Sequence, residues 1–285
     1  PSGLQRALEQ AEQWAETSAG QAVTDYSQIP MAHPVAHYST PIKKAWASLS
    51  LQDKIAMLMS TSQSMKINSE IVDWWAALWR VETKLAYWTS QGGWVEQNLE
   101  HLTPMLGAVA NRGTETYTRT FGEHCNQGGL ELLEFHNFQE RAEPLAEEAL
   151  ALLDAPNCPT ETAHLLLAPD QMILQIHESI GHPLELDRIL GDERNYAGTS
   201  FVTQDMFGSY QYGSELLNVT FDPTRTSEFA TYGYDDDGTR AEKVHIIRDG
   251  ILERPLGGTI SQSRAKMSGA SSTRACSWNR PPIDR

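Results

Sequence analysis

The residues most capable of chemistry lie in one short string, His177-Glu178-Ser179-Ile180-Gly181-His182. Imidazole nitrogens are good zinc ligands, and a neighbouring carboxylate can take a proton from a zinc-bound water. His177 and His182 are therefore the candidate metal ligands and Glu178 the candidate general base. Their spacing is unusual. A helix that offers two histidines to one ion ordinarily sets them four apart, on one face. Here they are five apart, and a regular helix turning about 500° over that interval leaves the rings about 140° apart. A local i→i+5 widening would return both rings to one side, and such π-bulges occur mainly at functional sites. Gly181 tolerates unusual backbone angles, and Pro183 has no N–H to offer the Ser179 carbonyl. The spacing thus predicts a helix deformed at Gly181–Pro183. The competing reading is a structural helix with two surface or capping histidines.

Catalytic zinc normally takes three protein ligands and keeps one open position. A third ligand is not obvious. Glu185 and Asp187 share the helix but lie too close along the chain to cap the site easily. Cys276 could serve as a thiolate ligand or as a small buried residue. His245, in an apparent strand beside Asp249-Gly250, reads as a cross-strand or surface histidine.

The elements that must position these groups follow from periodicity and punctuation. Pro169 opens the motif helix, where its missing N–H costs nothing. Leu184, Leu186, Ile189 and Leu190 suggest that helix resumes after the deformation. Upstream, apolar residues at 4, 7, 8, 11, 14 and 15 predict a first helix over 4–19. Residues 21–49 read as a crossing loop. Ser50 resembles a capping residue for a second helix that buries Ile55, Leu58 and Met59. Residues 70–121 cluster Trp74, Trp75, Trp79, Tyr87, Trp88 and Trp94 in strand-like runs and predict several antiparallel strands, broken at Gln91-Gly92-Gly93. The tryptophans are expected to pack in the core or between sheets, with a substrate-binding aromatic wall as the alternative. Residues 130–153 predict another helix, and Thr162 to Leu167 a short apolar strand. Beyond residue 198 the pattern is β-rich, with a hairpin turn at Asp249-Gly250 and a solvated turn at Asp235-Asp236-Asp237-Gly238. The expected class is α+β. An N-terminal α/β domain with Trp-rich antiparallel strands and helices spans 1–157, and the motif helix with a β-rich domain spans 158–285.

Bulk properties narrow the function. Of 285 residues, 22 are basic and 37 acidic, a net charge of −15 that repels phosphate and argues against direct nucleic-acid contact. No apolar run approaches the roughly 20 residues needed to span a bilayer. Three widely spaced cysteines suggest no disulfide framework and favour a cytoplasmic location.

The string from His177 to Asp187 resembles the signature of the TldD/PmbA family of metallopeptidases, on its TldD side: His-Glu-x-x-Gly-His followed by Leu-Glu-x-Asp. The similarity continues through residues 233–239 and 247–252, and extends over nearly the whole chain. It implies a cytoplasmic zinc peptidase that cleaves unfolded or short peptides within a dimer, either a homodimer or a heterodimer with a motif-lacking family member. It also implies zinc held by His177 and His182, with Glu178 activating a zinc-bound water. The family's third ligand is a cysteine beyond the position matching Arg285, so Cys276 is not its counterpart and the chain reads as an internal segment. Two other readings stand beside this one: a non-catalytic subunit or scaffold of a peptidase heterodimer, and a metalloenzyme acting on non-peptide amides.

Overall fold

A computed structural model of the chain describes residues 2–21, 25–122, 125–275 and 282–284. Its class is α+β, as expected, and the described residues build two larger apolar cores and a smaller cluster of Leu102, Leu130 and Leu132.

The first core rests on a long hairpin. Strand β2 (Ile71–Trp88) pairs antiparallel with β3 (Trp94–Arg112) along almost its entire length, turning through residues 89–93 where the break was expected. The other edge of β3 is shared by three strands. These are β1 (Val35–Ser39), β5 (Asn126–Gln127) and β4 (Glu115–Phe121). Pro104 falls between the stretches of β3 that pair with β5 and β4, where its missing N–H breaks no ladder on that edge. The β1 pairing is parallel, Val35 opposite Trp94, so the region read as a loop contributes a strand and the sheet is not wholly antiparallel.

One face of this sheet is covered by helix α4 (Ala142–Leu153), with help from α2 (Leu51–Ser64). Alternate β3 residues Leu106, Ala108 and Ala110 meet Ala142, Leu145, Ala146 and Ala149, and small side chains on both surfaces let helix and sheet approach closely. Ser50 caps α2, accepting the Asp53 N–H at 3.1 Å. Only Leu58 of its three expected apolar contacts reaches the core, however, and Ile55 and Met59 are exposed. The helix expected over 130–153 is two, α3 (Glu131–Phe135) and α4, because Asn137 takes a left-handed φ of 49° between them. The first helix, α1 (Ser2–Ser18), forms but buries no residue.

Strand parity sorts the tryptophans. Trp74 packs on the core with Ala76 and Leu78, while Trp75 and Trp79 point the other way and are 39% and 63% exposed. Trp88 and Trp94 are exposed too, so the expectation of core packing fails for all but Trp74. Gly107 sits directly opposite Trp75, and a Cβ there would fall 2.3 Å from the indole.

The second core gathers Ile180, Leu184, Val202, Ile246, Ile247, Leu252, Leu256 and Ala270. It includes a small sheet of β6 (Val219–Phe221), β7 (Val244–Arg248) and β8 (Ile251–Leu252). The β7–β8 hairpin turns at Asp249 and Gly250, both at positive φ (48° and 78°), as an Asp-Gly pair requires. Strands here are short and joined by long irregular segments. They are supplemented by helix α7 (Thr259–Ala265) and the pair β9 (Thr273–Arg274) with β10 (Ile283–Asp284). Residues 162–167 form no strand, and Leu165 and Leu166 are 80% and 96% exposed.

Two buried glutamines join the cores. Gln97 on β3 accepts the N–H groups of Gly233 and Tyr234 at 3.0 Å each and donates to the Tyr234 carbonyl at 2.8 Å. Gln127 on β5 donates to the carbonyls of Phe229 and Thr231 and accepts from the Thr40 hydroxyl. No helix among the described residues is long and apolar enough to cross a membrane.

Candidate metal centre

Helix α5 (Pro169–Ile176) begins at Pro169 and is followed at once by a π-turn over His177–Gly181 and a 3-10 turn over His182–Leu184. The His182 N–H bonds the His177 carbonyl, an i→i+5 closure. The deformed stretch, 177–184, includes the expected Gly181–Pro183 and begins about one turn before it, and it does what the five-residue spacing requires. The rings of His177 and His182 stand with centroids 4.2 Å apart, inclined at 70°. One ligand atom from each of His177, Glu178 and His182 lies within 4.8 Å of the others, a group that could hold a metal ion.

Gly181 contributes less than its conformational freedom suggested. Its φ and ψ, −55° and −71°, are right-handed, and a Cβ would meet nothing closer than the Ile176 carbonyl at 3.9 Å. The deformation comes instead from Pro183. Without a Pro183 N–H, the Ser179 carbonyl has no donor at i+4. The hydroxyl of Tyr212 supplies one from outside the helix. Burial, with Tyr210 as a lesser cause, pushes the Tyr212 phenol up to about 12, so it stays a donor across the working pH range. The Ser200 hydroxyl similarly donates to the Pro183 carbonyl at 2.6 Å.

Burial changes sharply along the motif. His177 and Glu178 are exposed, Ile180 is buried in the second core, and every residue from Leu184 to Arg188 is buried. The chain pivots at Glu185, where Leu186 N–H bonds the Leu256 carbonyl and Leu256 N–H bonds the Leu184 carbonyl, both at 2.8 Å. Helix α6 (Leu186–Leu190) then resumes the helical course, ending at Gly191 with a left-handed φ of 88°. Around His182 sit two further charged groups. Glu185 Oε1 is 2.9 Å from His182 Nδ1, and Arg188 Nε donates to Glu185 Oε2 at 3.0 Å.

A second polar cluster lies behind α6. Asp187 and Asp284 exchange backbone-to-carboxylate hydrogen bonds, Asp187 N–H to Asp284 Oδ2 at 2.9 Å and Asp284 N–H to Asp187 Oδ2 at 3.1 Å. Burial, then the charge of Asp284, pushes the Asp187 carboxyl up to about 7. The turn expected to be solvated at 235–238 is buried here: Asp235 and Asp237 are 2% and 5% exposed. Asp235 accepts from the Thr239 and Asp237 N–H groups and the Ser271 hydroxyl, which is why it can be buried. Burial still raises both carboxyls, Asp237 to about 6.

His245 lies on β7, across from Thr220 and away from the histidine pair in sequence and strand, as its strand reading implied. Cys276 lies outside the described residues. From the sequence, Tyr212 and Asp284 have no role here, and Glu185 and Asp187 are weighed only as metal ligands, not as the hydrogen-bonding partners they are. Glu185 carries a readable signal, a carboxylate three residues after a candidate ligand on one helical course. Tyr212 carries none.

Two imidazoles and a carboxylate are brought together by a π-turned helix on an α+β scaffold, and the donor set would fit a borderline cation. Residues 160–284 match the PmbA/TldA metallopeptidase C-terminal domain. A metalloprotease of Methanocaldococcus jannaschii is 28% identical over 201 residues, 70% of this chain and 42% of the relative. A metalloprotease TldD homolog of Buchnera aphidicola is 34% identical over 98 residues, 34% of this chain and 18% of the relative. The chain thus spans well under half the length of these curated relatives. In fold it is similar to TldE from Thermococcus kodakarensis, with a TM-score of 0.65 and 12% identity, covering 98% of this chain and 61% of that one.

Proposed function

We propose that this chain carries the metal-binding helix of a zinc-dependent peptidase acting on unfolded or short peptides. One observation carries the reading: the π-turn that sets the His177 and His182 rings 4.2 Å apart with the Glu178 carboxylate in reach. His177 and His182 would hold the ion through ring nitrogens. Zinc, when bound, supplies a Lewis acid that polarises a carbonyl and acidifies water. Glu178, exposed beside His177, accepts a proton from water and returns it to the leaving amine. The exposed approach to these residues admits an extended chain, and main-chain pairing to a strand edge would give tolerance of sequence.

The match of residues 160–284 to a metallopeptidase domain and the relatives named metalloproteases support this reading, and a dimer is proposed with it. The partner would be a second copy or a family member without the motif. The scarcity of cysteines supports a cytoplasmic setting.

The test measures zinc per chain and cleavage of an unfolded protein substrate, for the wild type and Glu178→Gln. Zinc should be retained in the variant while cleavage falls by roughly 10²–10⁴-fold. Normal cleavage by Glu178→Gln would sink the assigned base. Absence of zinc from the wild type would leave the non-catalytic reading.

A further inference from the structure

We infer that Glu185 is a positioning residue for this centre, fixing the tautomer of His182 so that Nε2 is left bare as the ligand nitrogen. The purpose of this arrangement rests on the metal-binding reading above; the arrangement itself does not.

Glu185 is only 2% exposed, and one carboxylate oxygen lies 2.9 Å from His182 Nδ1. An ionised carboxylate can only accept hydrogen bonds, so the proton between them sits on Nδ1. A neutral imidazole carries one ring proton, and Nε2 then presents a lone pair. Histidine free in water favours the opposite tautomer. Metal-bound histidines are commonly held this way, their second ring nitrogen donating to a carboxylate that sets ring orientation and basicity.

Arg188 holds the carboxylate in place. Its Nε and Nη2 lie 3.0 Å and 2.9 Å from Glu185 Oε2, and its Nη1 donates to the Ala197 carbonyl. Arg188 is itself buried, so a lone Glu185 charge does not have to be carried without a partner. Arg188 Nη2 is also 3.1 Å from His182 Nδ1, which raises the rival arrangement in which Nδ1 is bare and accepts from Arg188. That arrangement would set two lone pairs against each other, Nδ1 against Glu185 Oε1, at 2.9 Å in a partly buried place. The guanidinium already has acceptors in Glu185 and Ala197. The Nδ1–H tautomer gives Glu185 Oε1 its donor, while Arg188 Nη2 keeps Glu185 Oε2 as an acceptor at 2.9 Å.

The backbone makes the geometry stiff. Glu185 forms a parallel bridge with Leu256, and Leu184 and Leu186 on either side are fully buried. The positioning group is thus anchored in the second core, while His177 and Glu178 stand on the exposed part of the helix.

The experiment reads the His182 tautomer in the ¹⁵N-labelled chain without metal, from long-range proton–nitrogen spectra with the imidazole neutral. His182→Ala assigns the signals. The wild type should show Nδ1–H. Glu185→Met removes the acceptor but strands a buried guanidinium, so the double variant Glu185→Met with Arg188→Met is made beside it. In either variant that keeps its thermal transition, the tautomer should pass to Nε2–H. Zinc affinity, measured by competition with a chromophoric chelator, should weaken by roughly 10–100-fold. An Nε2–H wild type, or an unchanged tautomer in the folded variants, overturns the inference. A wild type that shows Nδ1–H yet binds no zinc would support the positioning of His182 and count against the metal-centre reading instead.

Discussion

The Tyr212 hydroxyl donates to the backbone carbonyl of Ser179 across 33 residues of chain. That carbonyl is the one Pro183 leaves without a helical donor, so a side chain from a distant segment completes the turn that holds the two histidines together. Tyr212→Phe should therefore destabilise the chain by about 1 kcal/mol, the usual cost of one partly buried hydrogen bond. Zinc binding should weaken as well, because the π-turn loses its external support. Urea denaturation and chelator competition measure the two effects. Unchanged zinc affinity with a normal melt would show that the turn stands without Tyr212.

Pro183→Ala tests the same turn from the other side. An alanine restores the N–H that a regular helix would offer to Ser179, and it favours helix strongly. Stability should change little or rise, while zinc affinity falls by an order of magnitude or more as the rings swing apart. Parallel loss of stability and affinity would instead point to general damage.

The Asp187–Asp284 pair predicts a pH dependence. Asp187 has its folded carboxyl raised from the ordinary 3.8 to about 7, by burial first and Asp284 second. Below about pH 4 both the folded and unfolded chains hold this proton. Between there and pH 7 the unfolded chain gives it up while the folded chain keeps it, so stability falls as pH rises through that window and then levels off. Asp187→Asn should reduce the fall in stability across the window by up to roughly 4 kcal/mol, an order-of-magnitude figure. The raised carboxyls of Asp235, Asp237 and Asp284 add slope of the same sign, so some dependence should persist in the variant. Denaturation midpoints from pH 4 to pH 8 provide the check, and an identical slope in Asp187→Asn would refute the assignment.

Gln97 predicts a coupling between the two cores. Its side chain serves two N–H groups and one carbonyl of residues 233–234, and it is buried. Gln97→Leu keeps the volume but strands those three groups, at a cost of roughly 2–4 kcal/mol. Hydrogen exchange should rise first at residues 231–239, and faster exchange confined to the hairpin of β2 and β3 would contradict this role.

The candidate site was legible in the sequence to an unusual degree, and the reason is local. Two histidines five apart cannot share an ion on a regular helix, and Pro183 removes one particular backbone donor. Both facts follow from helix geometry over a few residues, so the widened turn could be foreseen to within one turn. The same locality explains the Ser50 cap, the break between β2 and β3, and the Asp249-Gly250 hairpin. Gly181 shows where such reasoning goes astray: a glycine's freedom was invoked where the backbone turned out to be right-handed.

Other features rest on contacts between segments far apart in the chain, and no local pattern encodes them. Composition alone could not tell which tryptophans would be covered, because helix α4 reaches only one face of the sheet and strand parity leaves Trp75 and Trp79 on the other. Asp235 and Asp237 look like any solvated turn until Ser271, Thr239 and Thr259 are brought around them. The parallel pairing of β1 joins residues about sixty positions apart. By itself, the sequence determined the site's donors and the need for a deformed helix, since both are set by residue chemistry within a single turn. Only the tertiary structure decided what holds that deformation and orients His182. Tyr212 and the core beneath Glu185 become neighbours of the motif solely through folding.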